Sequence, residues 1–326
     1  MTPEVTDVDR VVDALVEEAR GGHPRAVARL ISLVERRDGP HREVARALAT
    51  YTGHAHVVGL TGAPGVGKST TTSALVGCLR ERGERVGVLA VDPSSPFTGG
   101  ALLGDRIRMQ EHATDPGVYV RSMASRGHLG GLAVATPAAI RVLDAAGCDT
   151  VIVETVGVGQ SEVEVAGSAD TVVVLLAPGT GDAIQVAKAG VLEVGDVYVV
   201  NKADRDGADA VVRDLRQMVG VVAAEPHGWA RPIVRTSATS GTGVAELVEA
   251  IDAHKAWAEG SGEALRRKVA RATVEIEALA LARLREQLAP VGSGHDVDLA
   301  DRLALEVATG SLDSWSAADQ LLTKGA

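Results

Sequence analysis

Hydrophobic residues near the start of the chain recur at the spacing of an amphipathic helix. In the stretch DVDRVVDALVEEARGG, a pair of glycines closes an apolar stripe that consists of Val11, Val12, Leu15 and Val16. The stretches HPRAVARLISLVERRDG and PHREVARALATYTG repeat this spacing. The pattern therefore predicts helices across residues 6–50, within a helical extension that spans residues 1–53.

After His54 the pattern changes to short apolar runs. The runs are HVVGL, RVGVLAVD, DTVIVE, TVVVLLA, VYVVNK and PIVRTSA, with helix-like or loop segments between them. Strands that are apolar on both faces and alternate with helices are typical of a parallel sheet covered on both sides. Residues 54–260 are therefore predicted to form an α/β domain with a doubly wound, mainly parallel sheet. The helices expected between the strands are Ser69–Arg82, Ala183–Leu192, Ala208–Val219 and Val244–Ala258.

The last part of the chain, residues 261–326, is again predicted to be helical. A linker at Gly260-Ser261-Gly262 precedes the stretch EALRRKVARATVEIEALALARLREQL, where apolar residues recur at helical spacing. Two short helices follow, around Leu299–Ala308 and Ser316–Leu322. An apolar helix outside the main sheet must be covered, either by the N-terminal helices or by a second subunit. The length of the helix favours a second subunit, so we expect a C-terminal helical dimerisation arm.

Composition narrows the functional class. Of 326 residues, 45% are hydrophobic but only 2% are aromatic, so the core must be built from Val, Leu, Ile and Ala. The net charge of −10 argues against a nucleic-acid surface, and no apolar run is long enough to cross a membrane. The acidic N-terminus is unlike a secretory signal or a transit peptide. We therefore expect a soluble, cytoplasmic protein with no nucleic-acid or membrane partner, in which Cys78 and Cys148 are small core residues.

The stretch GLTGAPGVGKSTTTSAL contains the phosphate-loop pattern GxxxxGK[ST] between an apolar strand and an amphipathic helix. Glycines let such a loop curl so that its backbone N–H groups point at phosphates, and the helix dipole adds to this attraction. Lys68 is expected to reach the β- and γ-phosphate oxygens, and Ser69 is expected to hold Mg²⁺. The predicted phosphate-binding residues are Gly62, Ala63, Pro64, Gly65, Val66, Gly67, Lys68, Ser69 and Thr70.

A second motif, Asn201-Lys202-x-Asp204, follows the run VYVV and indicates the base. The Asp204 carboxylate can accept hydrogen bonds from N1–H and from the exocyclic amine of guanine, whereas adenine presents the wrong pattern on that edge. Ser237 and Ala238 follow the last strand, where their backbone N–H groups could contact the guanine oxygen. The sequence therefore predicts GTP and GDP as ligands rather than ATP.

Two strand-end acids are expected beside the phosphate loop. Asp92 ends RVGVLAVD and Glu154 ends DTVIVE, and a doubly wound sheet binds its ligand at the carboxyl ends of its strands. Because Mg²⁺ keeps several waters, a carboxylate that acts through one of them can be Glu as well as Asp. Asp105, in the loop GALLGDRIRM, is a third candidate. The predicted catalytic and metal-binding residues are thus Lys68, Ser69, Asp92, Asp105 and Glu154.

Hydrolysis further requires a positioned water and compensation of the developing charge. Gly157 lacks a side chain, so its N–H could approach the γ-phosphate. Gln160 could orient the water or could equally be an exposed polar residue. Three arginines, which the sequence does not rank, could compensate the charge: Arg106, Arg108 and Arg126. Since no arginine finger is evident, we expect slow intrinsic GTP hydrolysis that a partner protein accelerates, as in a molecular switch.

With these motifs the chain resembles the accessory GTPases of methylmalonyl-CoA mutase, the MeaB/ArgK family, which are P-loop GTPases of the SIMIBI class. The resemblance extends over nearly the whole chain. It runs through ARLISLVE, GLTGAPGVGKST, VLAVDPSSPFTGGALLGDRIRM, ETVGVGQSE, NKAD and GSLDSWSAADQLL. The segments 92–109 and 154–162 are far more specific than the phosphate loop. In that family Glu stands at the position of Glu154, where many GTPases have Asp.

The resemblance implies a homodimer built on the C-terminal arm and a G-protein chaperone that uses GTP/GDP and Mg²⁺. Such a chaperone gates the loading of adenosylcobalamin into an acyl-CoA mutase and protects the mutase. Methylmalonyl-CoA mutase is the expected partner, isobutyryl-CoA mutase stays open, and a cobalamin adenosyltransferase is a further candidate.

Two segments of the chain qualify the resemblance. Pro178–Gly190, with Asp182, Gln185 and Lys188, falls where the family has a mobile loop facing the mutase, although a helix capped by Asp182 explains it equally well. Trp315 departs from the Pro-Tyr-like residues expected in the arm.

Other P-loop proteins remain as alternatives. A nickel-type metal-delivery GTPase would need a cluster of Cys or His ligands, which His112, His128 and His227 do not form in sequence. An ATP-dependent kinase of transport proteins conflicts with the guanine preference of NKAD. A signal-recognition-type GTPase would need an RNA or membrane partner, which the acidic balance disfavours.

Overall fold

The computed structural model describes residues 6–36, 39–93, 110–112, 114–125, 135–155, 167–179, 191–222, 228–288 and 299–325. The chain divides into two compact units, Met1–Ala264 and Leu265–Ala326. The first unit contains N-terminal helices and a helix-covered sheet, and the second is helical.

Three helices begin the first unit: α1 (Asp7–Arg20), α2 (Pro24–Glu35) and α3 (His41–Leu48). Thr6 and Asp9 form a capping box at the start of α1, since the Thr6 hydroxyl accepts from the Asp9 N–H and the Asp9 carboxylate accepts from the Thr6 N–H. A short 3₁₀ turn, Ala49–Tyr51, follows α3.

The buried stripe of α1 differs by one residue from the sequence prediction. Its apolar members are Val12, Leu15, Val16 and Ala19. Val11 was expected on this stripe but is 50% exposed. The prediction for Val11 is wrong because successive helical residues are about 100° apart, which turns Val11 away from the face that Val12 centres.

Within the described ranges, seven strands form one sheet in the order β3-β2-β4-β1-β5-β6-β7. All neighbouring strands are parallel. The strands are β1 (His56–Gly62), β2 (Val86–Pro93), β3 (Val118–Ser125), β4 (Thr150–Thr155), β5 (Thr171–Leu176), β6 (Val197–Val200) and β7 (Ile233–Arg235). The predicted doubly wound α/β fold is confirmed.

Helices cover both faces of the sheet. They are α4 (Lys68–Glu81), α5 (Ala135–Ala145), α6 (Val191–Val194), α7 (Ala208–Val222) and α8 (Val244–Ser261). One apolar core joins the sheet to α5, α7 and the N-terminal helices, and the other joins it to α4 and α8. Because both faces are covered, β1, β4, β5 and β6 are buried at every position.

Two parts of the first unit differ from the sequence pattern. The pattern predicts six strands and misses β3, an edge strand in which Arg121 forms an ion pair with Glu35 of α2. The expected linker is also wrong at Gly260 and Ser261, because both belong to the last turn of α8. Gly262, in the left-handed conformation with φ 77°, ends that helix. Of the predicted helix Ala183–Leu192, all but its last two residues lie outside the described ranges.

The second unit contains most of α9 (Glu263–Leu288), together with α10 (Leu299–Ala308) and α11 (Ser314–Gly325). Leu299, Leu303 and Ala317 form a small core between α10 and α11. Large apolar side chains of α9 are exposed, and we call them the α9 apolar surface: Leu265, Val269, Val274, Ile276, Leu279, Leu281 and Leu284. No helix among the described residues is long and apolar enough to cross a membrane.

Candidate functional site

The turn between β1 and α4 depends on two glycines. Gly62 has φ 143°, and a Cβ there would lie 2.3 Å from the Leu175 carbonyl oxygen of β5. Gly67 has φ 98°, and a Cβ there would lie 2.4 Å from Asn201 Nδ2. A residue with a side chain fits neither position, so the glycines of the motif are required by the close packing of β1 and α4 against their neighbours.

Lys68 is the first residue of α4 and is buried. Its Nζ donates hydrogen bonds to the carbonyl oxygens of Gly62, at 2.6 Å, and Ala63, at 3.1 Å. These bonds draw the ammonium back across the loop toward the end of β1. The positive charge and the helix N-terminus therefore lie at the same place, which is the requirement for binding a polyphosphate.

Glu154 reaches the start of α4 from the end of β4. Its Oε1 accepts a hydrogen bond from Ser69 Oγ at 2.6 Å, and its Oε2 accepts one from Thr72 Oγ1 at 2.9 Å. Glu154 is 4% exposed. Its carboxylate is therefore buried, and both of its oxygens accept hydrogen bonds from hydroxyl groups of α4. The bond to Ser69 places this strand-end acid beside the residue that follows Lys68.

The same contact allows a test of whether the site fits Mg²⁺. A serine hydroxyl and a carboxylate are hard oxygen donors, which Mg²⁺ prefers, and the ion usually takes few protein ligands and keeps several waters. Ser69 and Glu154 provide such oxygens side by side at the end of the phosphate loop. These residues fit the ion.

Asn201 connects the phosphate loop to the end of β7. Its Nδ2 donates to the Val66 carbonyl at 2.9 Å, while its Oδ1 accepts from Thr236 Oγ1 at 3.1 Å and from the Ala238 N–H at 3.2 Å. Since the amide is 2% exposed, its role in the described structure is to hold three loops together.

Lys202 provides a second brace. It adopts φ 56°, a left-handed conformation that is uncommon for residues other than glycine. Its Nζ donates to the Gly65 carbonyl at 2.6 Å. The two consecutive residues Asn201 and Lys202 thus contact consecutive parts of the phosphate loop.

Asp204 and Ser237, predicted to meet at the base, are brought together. The hydrogen bond from the Ser237 side chain, followed by one from the backbone N–H of Asp204, lowers the pKa of the exposed Asp204 carboxyl. The carboxylate therefore stays ionised at neutral pH and can accept two N–H groups. Ser237 also exchanges backbone contacts with Thr242, which fixes the turn after β7.

The backbone puts Asp92 next to last in β2, and the neighbouring Val91 is in register with Thr155 of β4. Asp105, Gly157 and Gln160 lie outside the described residues, as do Arg106, Arg108 and Arg126. The same holds for Asp182, Gln185 and Lys188 of the expected mobile loop. Pro64, Gly65 and Thr70 are exposed around the loop, and Ala63 and Val66 are buried.

Thr72 contacts Glu154 but was not among the predicted site residues. A sequence signal for it exists, because Ser69 and Thr72 are three residues apart and so lie on one face of α4. That signal becomes specific only when the fold brings β4 to this face.

The described residues contain no group of three or more His, Cys, Asp or Glu side chains that could hold a metal ion. The thiols of Cys78 and Cys148 are both free. Burial raises the pKa of the Cys148 thiol to about 12, so this thiol is protonated and inert at neutral pH.

The chain is similar in sequence to a family of known proteins. A family model described as methylmalonyl-CoA mutase-associated GTPase MeaB matches residues 27–291. A Pyrococcus horikoshii protein named as a GTPase is 47% identical over 315 residues, which are 96% of this chain and 98% of the relative. GTPase ArgK of Escherichia coli is 37% identical over 254 residues, 76% of this chain and 77% of the relative.

Two further similarities extend to a mammal and to a solved structure. The mitochondrial methylmalonic aciduria type A homolog of Mus musculus is 36% identical over 273 residues, 78% of this chain and 65% of the relative. A crystal structure described as a LAO/AO transport system kinase superposes with a TM-score of 0.67 at 28% identity and covers 98% of both chains.

Proposed function

The chain belongs to the MeaB family of methylmalonyl-CoA mutase-associated GTPases, and we propose that it uses GTP hydrolysis to gate adenosylcobalamin loading into an acyl-CoA mutase. The resemblance seen in the motifs is thereby confirmed, as is the GTPase class. The proposal further assigns the residues that act in hydrolysis and bind the metal. It also states that the protein is a homodimer and that its partner is a mutase.

The observation that carries the proposal is the Ser69–Glu154 hydrogen bond of 2.6 Å. It brings an acid from the end of β4 to the N-terminus of the helix that begins with Lys68. In this arrangement, the backbone N–H groups of residues 62–70 and the Lys68 ammonium would bind the phosphates. Positioning and electrostatic stabilisation of this kind account for most of the catalysis of phosphoryl transfer.

Ser69 and Glu154 would hold Mg²⁺, with Asp92 and Asp105 as further proposed ligands. When bound, the ion would supply charge neutralisation at the β- and γ-phosphate oxygens. Glu154 already accepts hydrogen bonds from two hydroxyls. It would therefore act mainly by accepting hydrogen bonds from water on the ion, for which Glu serves as well as Asp.

Asp204 would select guanine. The hydrogen bond from Ser237 lowers the pKa of the Asp204 carboxyl, and two parallel N–H donors on guanine match two carboxylate oxygens. Ser237 and Ala238 would lie against the guanine oxygen; before the base binds, their N–H groups donate to the Thr242 carbonyl and to Asn201 Oδ1. The solved relative described as a transport system kinase leaves an ATP-dependent kinase as the alternative to exclude, and a nickel-type metal-delivery GTPase is the second.

The mutase partner is supported by the family description and by the mouse relative, which is named for methylmalonic aciduria. The homodimer is supported by the α9 apolar surface, since exposed apolar areas of this kind mark protein interfaces. A cobalamin adenosyltransferase is a further proposed partner, because the gated cofactor must be delivered.

The proposal is tested with purified protein and extract from its own cell. With GDP or a non-hydrolysable GTP analogue present, the protein should recover an adenosylcobalamin-dependent mutase, and recovery should differ between the two nucleotides. Recovery of ribosomal or membrane components without a mutase would contradict the chaperone role.

Nucleotide titration separates the alternatives. GDP should bind at least about a hundredfold more tightly than ADP, as expected when a site is built for one hydrogen-bonding pattern. Equal affinities would favour the kinase. Stoichiometric binding of nickel or zinc would favour metal delivery.

A further inference from the structure

Thr72 contacts the Glu154 carboxylate but lies on α4, beyond the predicted phosphate-binding residues 62–70. Its hydroxyl donates to Glu154 Oε2 at 2.9 Å, while Ser69 occupies the other oxygen, Oε1. Thr72 is fully buried on α4. The two hydroxyls therefore hold the carboxylate from both ends and define the direction in which Oε1 points.

The hydroxyl proton of Thr72 has two acceptors within reach. One is Glu154 Oε2, and the other is the Lys68 carbonyl oxygen at 3.0 Å. In an α-helix the carbonyl of Lys68 already accepts the N–H of the residue four positions later, which is Thr72. A hydrogen bond to an ionised carboxylate is also stronger than one to a neutral carbonyl. Thr72 is therefore placed to donate to Glu154 as well as to the Lys68 carbonyl.

We propose that Thr72 is a positioning residue for the magnesium site, which acts through Glu154 and touches neither nucleotide nor metal. The inference rests on the proposed function, in which Ser69 and Glu154 hold Mg²⁺. With Oε2 bound to Thr72, Oε1 remains beside Ser69, where the ion and its waters would be held. Without this hydroxyl, Oε2 loses the hydrogen bond that fixes its direction, and part of the binding energy is lost in restoring the orientation of the carboxylate.

The experiment follows Mg²⁺ binding and does not depend on turnover. The rate at which a fluorescent GDP derivative leaves the protein is measured across a Mg²⁺ titration, together with the thermal midpoint of the GDP complex. Removing a hydrogen-bond partner that orients a group at a metal site typically lowers metal affinity by about ten- to a hundredfold. Thr72→Val keeps the shape of the side chain. It should raise, by this factor, the Mg²⁺ concentration at which the slowing of GDP release is half of its maximum.

Thr71 offers a matched control in the same helix. It is equally buried, but its hydroxyl donates to the Gly67 carbonyl at 3.0 Å. Thr71→Val should therefore keep the Mg²⁺ dependence of the wild type. Thr72→Ser should restore it, because it returns the hydroxyl. Thr72→Ala, which leaves no methyl group against the carboxylate, should behave as Thr72→Val does.

The outcomes separate the inference from the function on which it rests. If Thr72→Val and Thr72→Ala follow the wild-type Mg²⁺ titration, Thr72 does not position Glu154, although the GTPase site stands. An equal loss in Thr71→Val would also overturn the inference, since the effect would then belong to the helix. If GDP retention in the wild type is independent of Mg²⁺, the proposed metal site is contradicted, and the proposed role of Thr72 is contradicted as well.

Discussion

At the scale of single residues, the Glu154 side chain is long enough to reach α4 from the end of β4. The carboxylate must extend far enough from the strand to accept bonds from both Ser69 and Thr72. An aspartate is shorter by one C–C bond, about 1.5 Å. From the same backbone it could not hold both hydroxyls at 2.6 and 2.9 Å. The two hydroxyls of α4 thus give a physical reason for Glu at a position where many GTPases have Asp.

Asp204 permits a prediction about the base. Asp204→Asn replaces one carboxylate oxygen by an NH₂ group, which cannot accept from guanine. The variant should lose about tenfold or more of the preference for GDP over ADP, as one unmade hydrogen bond to a charged group implies. Isothermal titration with both nucleotides measures this ratio.

Asp206, two residues further on and exposed, provides the control. Asp206→Asn makes the same change of charge and should leave the preference intact. Full guanine preference in Asp204→Asn would remove Asp204 from the base site.

At the scale of elements, the site was predictable where it is contiguous in sequence. The phosphate loop and the NKAD motif each occupy one short segment, so their chemistry can be recognised locally. The contact of Thr72 with Glu154 joins residues 82 positions apart, and no local pattern contains it. The sheet shows the same division. Strands buried on both faces have unbroken apolar runs, whereas the edge strand β3 includes Arg121, whose partner Glu35 is 86 positions away.

Another contact between elements joins the amino ends of β1 and β5 to α8, whereas the phosphate loop follows the carboxyl end of β1. His56 Nε2 lies 2.9 Å from Thr171 Oγ1, which lies 2.7 Å from His254 Nδ1. His254 Nε2 in turn lies 3.3 Å from Asp196 Oδ1. Since the Thr171 hydroxyl has one proton, it donates to one imidazole and accepts from the other.

This buried connection predicts a pH dependence of stability. Burial, only partly opposed by the charge of Asp170, lowers the pKa of His56 from 6.5 to about 4. Between these values the unfolded chain binds the proton and the folded chain does not, so the free energy of unfolding rises with pH. The contribution is complete above pH 6.5 and is lost as the pH falls to about 4. At about 1.4 kcal/mol per pKa unit, it reaches at most about 3.5 kcal/mol.

Urea unfolding at a series of pH values between 4 and 7 tests this dependence. His56→Gln should be less stable at neutral pH and should show a flatter rise of stability with pH. His54, two residues earlier and exposed, gives the control His54→Gln, which should retain the wild-type slope. An unchanged slope in His56→Gln would show that His56 does not titrate as described.

At the scale of the whole molecule, the family relationship identifies the activity, whereas the exposed surface of the second unit bears on association. Matches to relatives over 96% of the chain identify the GTPase and its class. They do not explain why α9 carries large apolar side chains that remain exposed, such as Leu265 at 68% and Ile276 at 65%. Fully burying one such side chain contributes about 1.5–3 kcal/mol, so a surface with several of them favours association.

If the α9 apolar surface forms the proposed homodimer, two charges placed on it should separate the subunits. Val269 and Ile276 are seven residues apart and so lie on the same side of the helix. The double variant Val269→Glu, Ile276→Glu should sediment as a monomer of 33.6 kDa, whereas the wild type should show twice that mass. Both proteins should bind GDP, since the nucleotide residues belong to the first unit.

Val8 and Val11 of α1 are comparably exposed, at 48% and 50%, and serve as the control pair. Their replacement by Glu should leave the dimer intact if the association is specific to α9. A wild type that is monomeric at all concentrations, or a double variant that remains dimeric, would contradict the role of α9. In a true dimer, the thermal midpoint of the wild type should also rise with protein concentration, because association stabilises the folded subunits by mass action.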